Sequence, residues 1–260
     1  MTDTWLTERY LRTPDGTFPH LGIRGGGDVA PVALLSGSPA RVELMAGMLD
    51  GAAKVGDARG YLVFTGHYQG QPVTVATSGV GSPSMSIAVE ELAQCGVDTL
   101  IRVGSCAAIS ERLAVGGIMV ATGAVSDEGT SRYYAPPNFP PIATLAVTNA
   151  LVDAARHLDV HVEVGLTRST DSFYEGERVA SIIELWRGLG VMTFEMETSC
   201  LFTVAARLGR AAGSIVCTGS NLLTGQATYQ GEGLDAFATG QQQMLEVALA
   251  AAASLAAVRG

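Results

Sequence analysis

The sequence is short of charge and of aromatic side chains, and no basic run occurs in it. Charged residues make up 16% of the chain and aromatic residues 6%, and 25 acidic residues outnumber 16 basic ones, so the net charge is −9. This balance argues against a nucleic-acid-binding surface, and any arginine cluster that binds an anion must be local. With 47% hydrophobic residues, the chain has enough apolar material for a large core and for buried subunit interfaces.

Long apolar runs are also missing. The Ala-rich stretch 247–258 is too short for a membrane span and follows the polar Gln241-Gln242-Gln243, so we expect a packed terminal helix and no membrane partner. The segment 1–12 mixes charges with single apolar residues and lacks the hydrophobic core of a secretion signal, which favours the cytoplasm.

Cysteine is scarce and shows no CxxC spacing. The four cysteines are Cys95, Cys106, Cys200 and Cys217. Their apolar surroundings predict reduced core thiols of a cytoplasmic protein. His157 and His161 have the i,i+4 spacing of a metal-binding pair, but the apolar pattern changes from helical to alternating between them. We therefore expect no metal site there.

The order of the predicted elements indicates an α/β fold. Residues 1–31 form an irregular N-terminal arm. Strands are predicted over residues 32–36, 61–68, 72–78, 98–103, 117–125, 161–167 and 212–218, and another near Met192. Helices are predicted over residues 40–49, 84–95, 143–156, 179–187 and 198–208, and from residue 234 onward. Strands that alternate with helices are typical of a mostly parallel sheet.

The segment from Leu100 to Cys106 is the most informative part of the chain. A run of apolar residues is interrupted by Arg102 and is predicted to stop at Gly104-Ser105. An arginine in a buried parallel strand is costly unless it finds an anionic partner. At the carboxyl end of a strand, where open α/β sheets bind their ligands, that partner is either a bound phosphate or a carboxylate of the protein.

Other segments add candidates for the same anion site. Three predicted strand-end loops place a glycine beside a small hydroxyl residue: Ser36-Gly37-Ser38, Ser78-Gly79 and Gly104-Ser105. Each can bind an anion through backbone N–H groups, although such glycine turns are ordinary in α/β proteins. Arg41, Arg59 and Arg102 stand out in an acidic chain and together would suit a doubly charged phosphate.

Two further groups are compatible with a nucleoside. Glu195 and Glu197 flank Met196 and could clamp a vicinal diol such as ribose; alternatively, they are solvated glutamates at a helix start, where the helix dipole favours them. Phe173, in the loop 170–176, could stack on a flat heterocycle or could plug the edge of the core.

Four segments together resemble one family. They are Gly79-Val80-Gly81-Ser82-Pro83, Ser86-Ile87-Ala88-Val89-Glu90-Glu91-Leu92, Arg102-Val103-Gly104-Ser105 and Phe194-Glu195-Met196-Glu197. In this order and spacing they make the chain similar, from about His20 to the C-terminal helix, to the nucleoside phosphorylase family of uridine phosphorylases and hexameric purine nucleoside phosphorylases. The resemblance implies a single domain over residues 1–260, with three α/β/α layers around a central mixed, mostly parallel sheet. It also implies phosphorolysis of nucleosides to free base and (deoxy)ribose 1-phosphate, with inorganic phosphate as co-substrate and no cofactor.

The resemblance also implies a role for each candidate residue. Phosphate would be bound by Gly37, Arg41, Arg102 and Ser105, with Arg59 reaching into the site of a neighbouring subunit. The ribose would be held by Glu195, Met196 and Glu197, with His20 contacting its 5′ end from the neighbour. The base would meet Phe173, Arg178 and Asn221, and catalysis would rest on Arg102, Glu197 and Asn221. Sites shared between subunits imply a homo-oligomer, which in this family is a hexamer built from dimers.

Three positions depart from the family pattern. Ser38 replaces the aspartate of the first phosphate loop, and the glutamine that accompanies the base-reading arginine of uridine phosphorylases has no counterpart beside Arg178. Asn221 stands where hexameric purine phosphorylases have an aspartate that protonates the leaving purine. An asparagine cannot act as a general acid, but its amide can donate to a ring nitrogen or to a 6-oxo group.

The preferred base therefore stays open. Uridine is the first expectation, and the 6-oxopurine nucleosides are the alternative. A hydrolytic nucleosidase would not need Arg41, Arg59 and Arg102, and an inactive nucleoside-binding homologue would keep the fold without turnover.

The substitution Arg102→Ala is expected to nearly abolish phosphate-dependent turnover and to leave the fold intact.

Overall fold

The computed structural model describes residues 11–25 and 27–258. Its strands are β1 (Val32–Ser36), β2 (Asp50–Ala58), β3 (Tyr61–Tyr68), β4 (Gln71–Thr77), β5 (Thr99–Ala108), β6 (Ile118–Asp127), β7 (Glu163–Thr170), β8 (Val191–Glu195), β9 (Ala211–Asn221) and β10 (Gln226–Ala227). Its α-helices are α1 (Pro39–Gly47), α2 (Ser82–Gln94), α3 (Leu145–His157), α4 (Val179–Gly188), α5 (Thr198–Arg207) and α6 (Leu234–Ala257). Short 3₁₀ turns lie at Thr130–Tyr133, Gly176–Arg178 and Thr228–Gln230.

The strands form one mixed sheet in the order β10-β9-β6-β7-β8-β5-β1-β4-β3-β2. An additional pairing of β9 with β5 closes β5, β9, β6, β7 and β8 into a ring. The α/β fold with a mixed sheet is confirmed. In the described part of the chain five pairings are parallel and five antiparallel, and the parallel ones contain more paired residues. The β2–β3–β4 meander contributes two of the antiparallel pairings, and β5–β8, β6–β9 and β9–β10 contribute the others.

Each predicted strand and helix is present, with small shifts at the ends, but two features of the sheet differ from the prediction. Strand β2 was not predicted, because Asp50–Ala58 is mostly exposed and does not alternate between apolar and polar residues. It is held by pairing with β3, with two register shifts. Strand β5 runs through Gly104-Ser105 to Ala108, so the predicted end of this strand is wrong.

Helices cover both faces of the sheet. On one face, α1, α3 and α6 contribute to an apolar cluster that includes Val42, Leu151 and Met244. On the other face, α2 and α5 contribute to a second cluster, with Leu92 and Phe202 among its members. Helix α4 packs on the ring strands through a smaller cluster. This arrangement agrees with the expected three layers.

The N-terminal arm contributes to the core. The described part of residues 11–31 contains no helix or strand, as predicted. Nevertheless, Phe18, Leu21 and Ile23 are fully buried in the cluster that also contains α2 and α5. The arm therefore closes one face of the sheet.

All four cysteines are free and buried. Burial raises the pKa of Cys106 to about 12 and that of Cys217 to about 12, so both stay in the thiol form at neutral pH. Because the thiolate is the reactive form, these side chains are inert core residues, as the sequence predicts.

The two histidines with metal-like spacing point to different partners. His157 Nδ1 lies 2.7 Å from the carbonyl oxygen of Asp153, and His161 Nε2 lies 3.2 Å from Glu163 Oε1. Within the described residues, no group of three or more potential metal ligands was found. In the same part of the chain, no helix combines the length and the apolar character needed to cross a bilayer.

The burial of the arm leads to a stability prediction. Phe18 is 1% exposed, and removing its ring leaves a cavity in the core. We expect Phe18→Ala to lower the free energy of unfolding by about 3–5 kcal/mol, measured by urea denaturation at a fixed protein concentration. The control is Leu11→Ala in the same arm, since Leu11 is 63% exposed; its effect should stay within about 0.5 kcal/mol. Equal effects of the two substitutions would contradict a core role for the arm.

Candidate active site

The candidate site lies where β1 and β4 end beside the longer strand β5. Leu35 of β1 is opposite Arg102, so Arg102 is level with the end of β1 at Ser36. Strand β4 ends at the same level, because Ser36 is opposite Thr77. Arg102 thus lies in the middle of its own strand but at the carboxyl edge of its neighbours. Open α/β sheets bind their ligands at such an edge.

Arg102 is buried between two glutamates. Its Nε lies 2.9 Å from Glu195 Oε2, and its Nη2 lies 2.7 Å from Glu197 Oε2. Burial disfavours the charged guanidinium, but the carboxylates of Glu197 and Glu195 outweigh this cost and raise the pKa of Arg102. The sequence left open whether the anionic partner of Arg102 is a bound phosphate or a carboxylate of the protein. The structure provides carboxylates, those of Glu195 and Glu197.

Gly104 provides the space for this guanidinium. It lies two residues after Arg102 and therefore on the same face of β5. A Cβ atom at position 104 would be 2.5 Å from Arg102 Cζ and 2.8 Å from its Nη1. Any side chain at position 104 would displace the guanidinium, so a glycine is required here. Gly104 lies inside β5, whereas the sequence predicted it in a loop at the end of the strand.

Glu195 is fully engaged within the protein. Its Oε2 accepts hydrogen bonds from the backbone N–H groups of Glu197 and Thr198, both at 2.9 Å, where α5 begins. Its Oε1 accepts a hydrogen bond from the Ser169 hydroxyl. The side chain is 0% exposed. The structure therefore does not support the predicted contact of Glu195 with ribose; instead, Glu195 fixes Arg102 and stabilises the positive end of the helix dipole of α5.

Glu197 connects the loops after β4 and β8. Its Oε1 accepts a hydrogen bond from the Gly81 N–H at 2.6 Å, and its Oε2 faces Arg102. Next to it, the Ser82 hydroxyl donates to the carbonyl oxygen of Met196 at 2.9 Å. Burial raises the pKa of Glu197, and the charge of Arg102 opposes this effect. A carboxylate has about four lone-pair positions, so Glu197 can still accept further hydrogen bonds.

Arg41 is the second buried arginine. Its Nη1 donates to Ser36 Oγ at 3.1 Å and its Nε donates to Gln241 Oε1 at 3.0 Å, and no described carboxylate forms a salt bridge with it. Burial and, next, the charge of Arg102 lower the pKa of Arg41 to about 10. An anion bound by both arginines would relieve this penalty. We refer to Arg41 and Arg102 as the arginine pair.

The predicted phosphate loop is present and is braced without the family's aspartate. Ser38 is the N-cap of α1, and its Oγ accepts a long hydrogen bond of 3.4 Å from the Arg41 N–H. A Cβ atom on Gly37 would lie 3.1 Å from the Gly79 carbonyl oxygen, so a glycine lets these two loops approach closely. Ser105 is exposed although both of its neighbours in β5 are buried, which makes its hydroxyl accessible to a ligand.

The residues predicted to contact sugar and base differ in their surroundings. Met196 is partly exposed between the buried Glu195 and Glu197. Phe173 is 59% exposed, so the alternative that it plugs the edge of the core is wrong. The side chain of Arg178 is 76% exposed and forms an ion pair of 3.2 Å with Glu175.

Asn221 does not have the free amide that was predicted. Its Nδ2 donates to the carbonyl oxygens of Ser110 at 3.1 Å and Leu113 at 2.8 Å. Its Oδ1 accepts from the N–H groups of Leu223 at 2.9 Å and Thr224 at 3.3 Å. All hydrogen-bonding positions of the side-chain amide are thus filled. Instead of contacting a base, Asn221 braces the loop after β5 against the segment after β9.

His20 and Arg59 lie in neighbouring segments, and neither forms a hydrogen bond or an ion pair with the arginine pair within the described residues. His20 Nδ1 is 2.7 Å from Glu91 Oε1, in the half of α2 that is remote from Ser82. Arg59 is exposed at the tip of the β2–β3 hairpin, where its φ is 51°. The arm and this hairpin are in contact, since a Cβ atom on Gly22 would lie 3.2 Å from that of Ala58. Their predicted role in the site of a neighbouring subunit stays a prediction.

The sequence analysis missed Gln241, which holds Arg41. A signal was present in the sequence, because Gln241 shares a helical face of α6 with Met244, Leu245 and Ala248, all of which are buried. A polar residue on an apolar helical stripe requires a buried hydrogen-bond partner. Ser36 was noted for its place in a glycine loop and not for its contact with Arg41.

Comparison with known proteins defines the family of this chain. The family model of the phosphorylase superfamily matches residues 31–257. The chain belongs to the phosphorylase superfamily. The resemblance seen in the sequence is thereby confirmed.

Particular relatives include enzymes named for different bases. The chain is 37% identical over 243 residues to a uridine phosphorylase of Thermococcus kodakarensis, covering 89% of this chain and 87% of the relative. It is 36% identical over 207 residues to a guanosine phosphorylase of Halorubrum lacusprofundi, covering 80% of this chain and 85% of the relative. The solved structure of a purine nucleoside phosphorylase from Toxoplasma gondii in complex with immucillin-H superposes with a TM-score of 0.87 at 30% identity, over 95% of this chain and 100% of that one.

The fit of Arg102 over Gly104 leads to a prediction for anion binding. In Gly104→Ala, the new methyl group displaces the guanidinium, so we expect inorganic phosphate to bind about tenfold more weakly, measured by titration calorimetry. The matched control is Gly47→Ala at the end of α1, where a Cβ atom meets nothing within 4 Å. Unchanged phosphate affinity in a folded Gly104→Ala protein would contradict the assigned site.

Proposed function

We propose that the protein catalyses the phosphorolysis of nucleosides to a free base and a pentose 1-phosphate. The arginine pair carries this proposal. Arg102 is paired with two glutamates, whereas Arg41, whose pKa is lowered by the charge of Arg102, forms no salt bridge with a carboxylate of the described residues. A phosphate oxygen would pair directly with Arg41 through charge-assisted hydrogen bonds, which are stronger than neutral ones.

The residues around the arginine pair suit the second substrate. Glu197 would accept hydrogen bonds from ribose hydroxyls next to the bound phosphate, and Met196 would pack against the sugar. During the reaction the bond from C1′ to the base nitrogen breaks, and a phosphate oxygen forms a bond to C1′ on the opposite face. C1′ gains oxocarbenium character, so catalysis consists mainly of positioning and electrostatic stabilisation.

The leaving base departs with the bonding electrons and takes up a proton. Asn221 does not supply this proton, since asparagine is not an acid and its amide is engaged by backbone groups on both sides. In this proposal the proton therefore comes from solvent.

Uridine is the first substrate to test, and inosine and guanosine are the alternatives. Relatives of both kinds are similar to this chain to the same degree. A hydrolytic nucleosidase would have no use for a buried arginine without a carboxylate, so Arg41 favours phosphorolysis over hydrolysis.

The proposal predicts base release that depends on phosphate. We expect purified protein to release base from uridine, inosine or guanosine only when phosphate is added, measured by chromatography of the products. Arg41→Gln should lower kcat/KM for phosphate about 10²–10³-fold, the usual cost of one donor that stabilises the transition state. The control is Arg156→Gln, because the side chain of Arg156 is 75% exposed on α3. Turnover without phosphate, or full activity of Arg41→Gln, would overturn the proposal.

Arg102→Ala is a poorer test than the sequence suggested. Removing this guanidinium leaves Glu195 and Glu197 buried without their partner, and breaking a buried ion pair in this way costs about 3–5 kcal/mol. The expectation that the fold of this variant stays intact therefore does not agree with the structure. Substitution of Arg41 leaves no such buried carboxylate behind.

We further propose a homo-oligomer, a hexamer built from dimers, in which Arg59 and His20 act in the site of a neighbouring subunit. Arg59→Ala and Arg41→Ala should each be inactive alone. Mixing them under conditions that exchange subunits should restore about a quarter of the wild-type rate, because half of the pairs are mixed and each mixed pair has one intact site of two. No recovery in verified mixed oligomers, or an active monomer on dilution, would contradict shared sites.

A further inference from the structure

Phe173 lies edge-on to two exposed aromatic rings that the core does not use: Tyr174, next to it in the same loop, with ring centroids 5.0 Å apart, and Tyr229. The rings of Phe173 and Tyr229 are nearly perpendicular, at 88°, with centroids 6.2 Å apart. Phe173 is 59% exposed and Tyr229 is 80% exposed. Exposed large apolar surface is more informative than a single exposed apolar residue, because it marks a place where something binds. We call Phe173 and Tyr229 the aromatic corner.

Tyr229 lies at the same edge of the sheet as the arginine pair. It belongs to the 3₁₀ turn Thr228–Gln230, which follows the short strand β10. Thr228 Oγ1 and the Cys106 carbonyl oxygen lie 3.8 and 3.9 Å from the position of a Cβ on Gly219. The turn therefore starts beside Gly219 of β9, close to Cys106, the residue after Ser105 in β5. Tyr229 is also among the groups whose charge affects the pKa of Arg41.

Phe173 reaches this edge from the loop after β7. Strands β7 and β8 are parallel, and Ser169 is opposite Glu195 at their carboxyl ends. The loop that carries Phe173 therefore starts next to the segment that carries Met196 and Glu197. The aromatic corner joins this loop to the turn Thr228–Gln230.

The two polar groups that were predicted to read the edge of a base differ in their surroundings. Arg178 is paired with Glu175 and is largely in solvent. The Asn221 amide has both donors and both acceptor positions filled by backbone groups. The aromatic corner, in contrast to the Asn221 amide, presents exposed rings that can contact a flat heterocycle.

We propose that Tyr229 is a substrate-contacting residue that, together with Phe173, receives the nucleobase by ring contacts and selects it by shape. A base that stacks on one ring presents its edge to the other, an arrangement that the aromatic quadrupoles favour. Sites that rely on apolar contacts discriminate between substrates by up to about 200-fold, whereas sites that hydrogen-bond the substrate reach about 10⁴–10⁵-fold. This inference rests on the proposed function, because it takes the ligand to be a nucleoside.

The first test measures nucleoside binding and does not require turnover. Titration of uridine and of inosine into Tyr229→Ala should give affinities about tenfold or more below wild type, the usual effect of losing a ring that stacks on a base. Tyr229→Phe keeps the ring and should bind as wild type does, and phosphate affinity should change less than twofold, about the error of such titrations. The matched control is Tyr133→Ala, since Tyr133 is 91% exposed in another 3₁₀ turn. Wild-type affinity in Tyr229→Ala would overturn the proposal.

The second test compares substrates in the wild-type protein. The ratio of kcat/KM for uridine and inosine should stay below about 200, and a ratio above about 10⁴ would overturn selection by shape. Failure of the proposed function is a separate result: the wild-type protein would then release no base with phosphate from any nucleoside. In that case the binding measurements on Tyr229→Ala still decide whether the aromatic corner holds a base.

Discussion

Moving the guanidinium of Arg102 and two carboxylates out of water costs on the order of several kcal/mol per ion, and only their mutual attraction in good geometry offsets this. Arg102 belongs to β5, and Glu195 and Glu197 come from the end of β8. The two strands are neighbours because β8 pairs with β5 within the ring of the sheet. The charge cluster therefore depends on that pairing, and Gly104 is required because the guanidinium occupies the space above it.

The two arginines of the pair have different roles: Arg102 organises the surrounding loops, and Arg41 remains available to an anion. Arg102 is neutralised by the protein, so it organises the loops after β4 and β8 through Glu197 and the start of α5 through Glu195. Among the described residues, Arg41 is held by the neutral groups of Ser36 and Gln241, which fix its direction without cancelling its charge. A buried cation that is oriented but not compensated binds an anion more strongly than a solvated one, because little reorganisation is needed.

Much of the site was visible in local patterns, and the errors have a common cause. Arg102 could be recognised because it interrupts an apolar run, and Gly37 and Arg41 because they follow a short buried strand. Strand β2 could not be predicted, because its pairing with β3 is not encoded in an alternating pattern. The continuation of β5 past Gly104 was missed for a similar reason, since pairing with β9 keeps a glycine and a serine in the strand.

Glu195 and Asn221 also show that local patterns do not reveal which contacts a side chain makes in the folded chain. Their residue types allow contact with ribose or base, but the structure fills their hydrogen-bonding positions with α5 and with the loop after β5, respectively. The sequence by itself determined the α/β fold, the family and the residue types of the anion site, because these follow from periodicity and short motifs. Only the tertiary structure decided which arginine is compensated, which polar groups remain free and which exposed rings meet, because these depend on contacts between residues far apart in the chain.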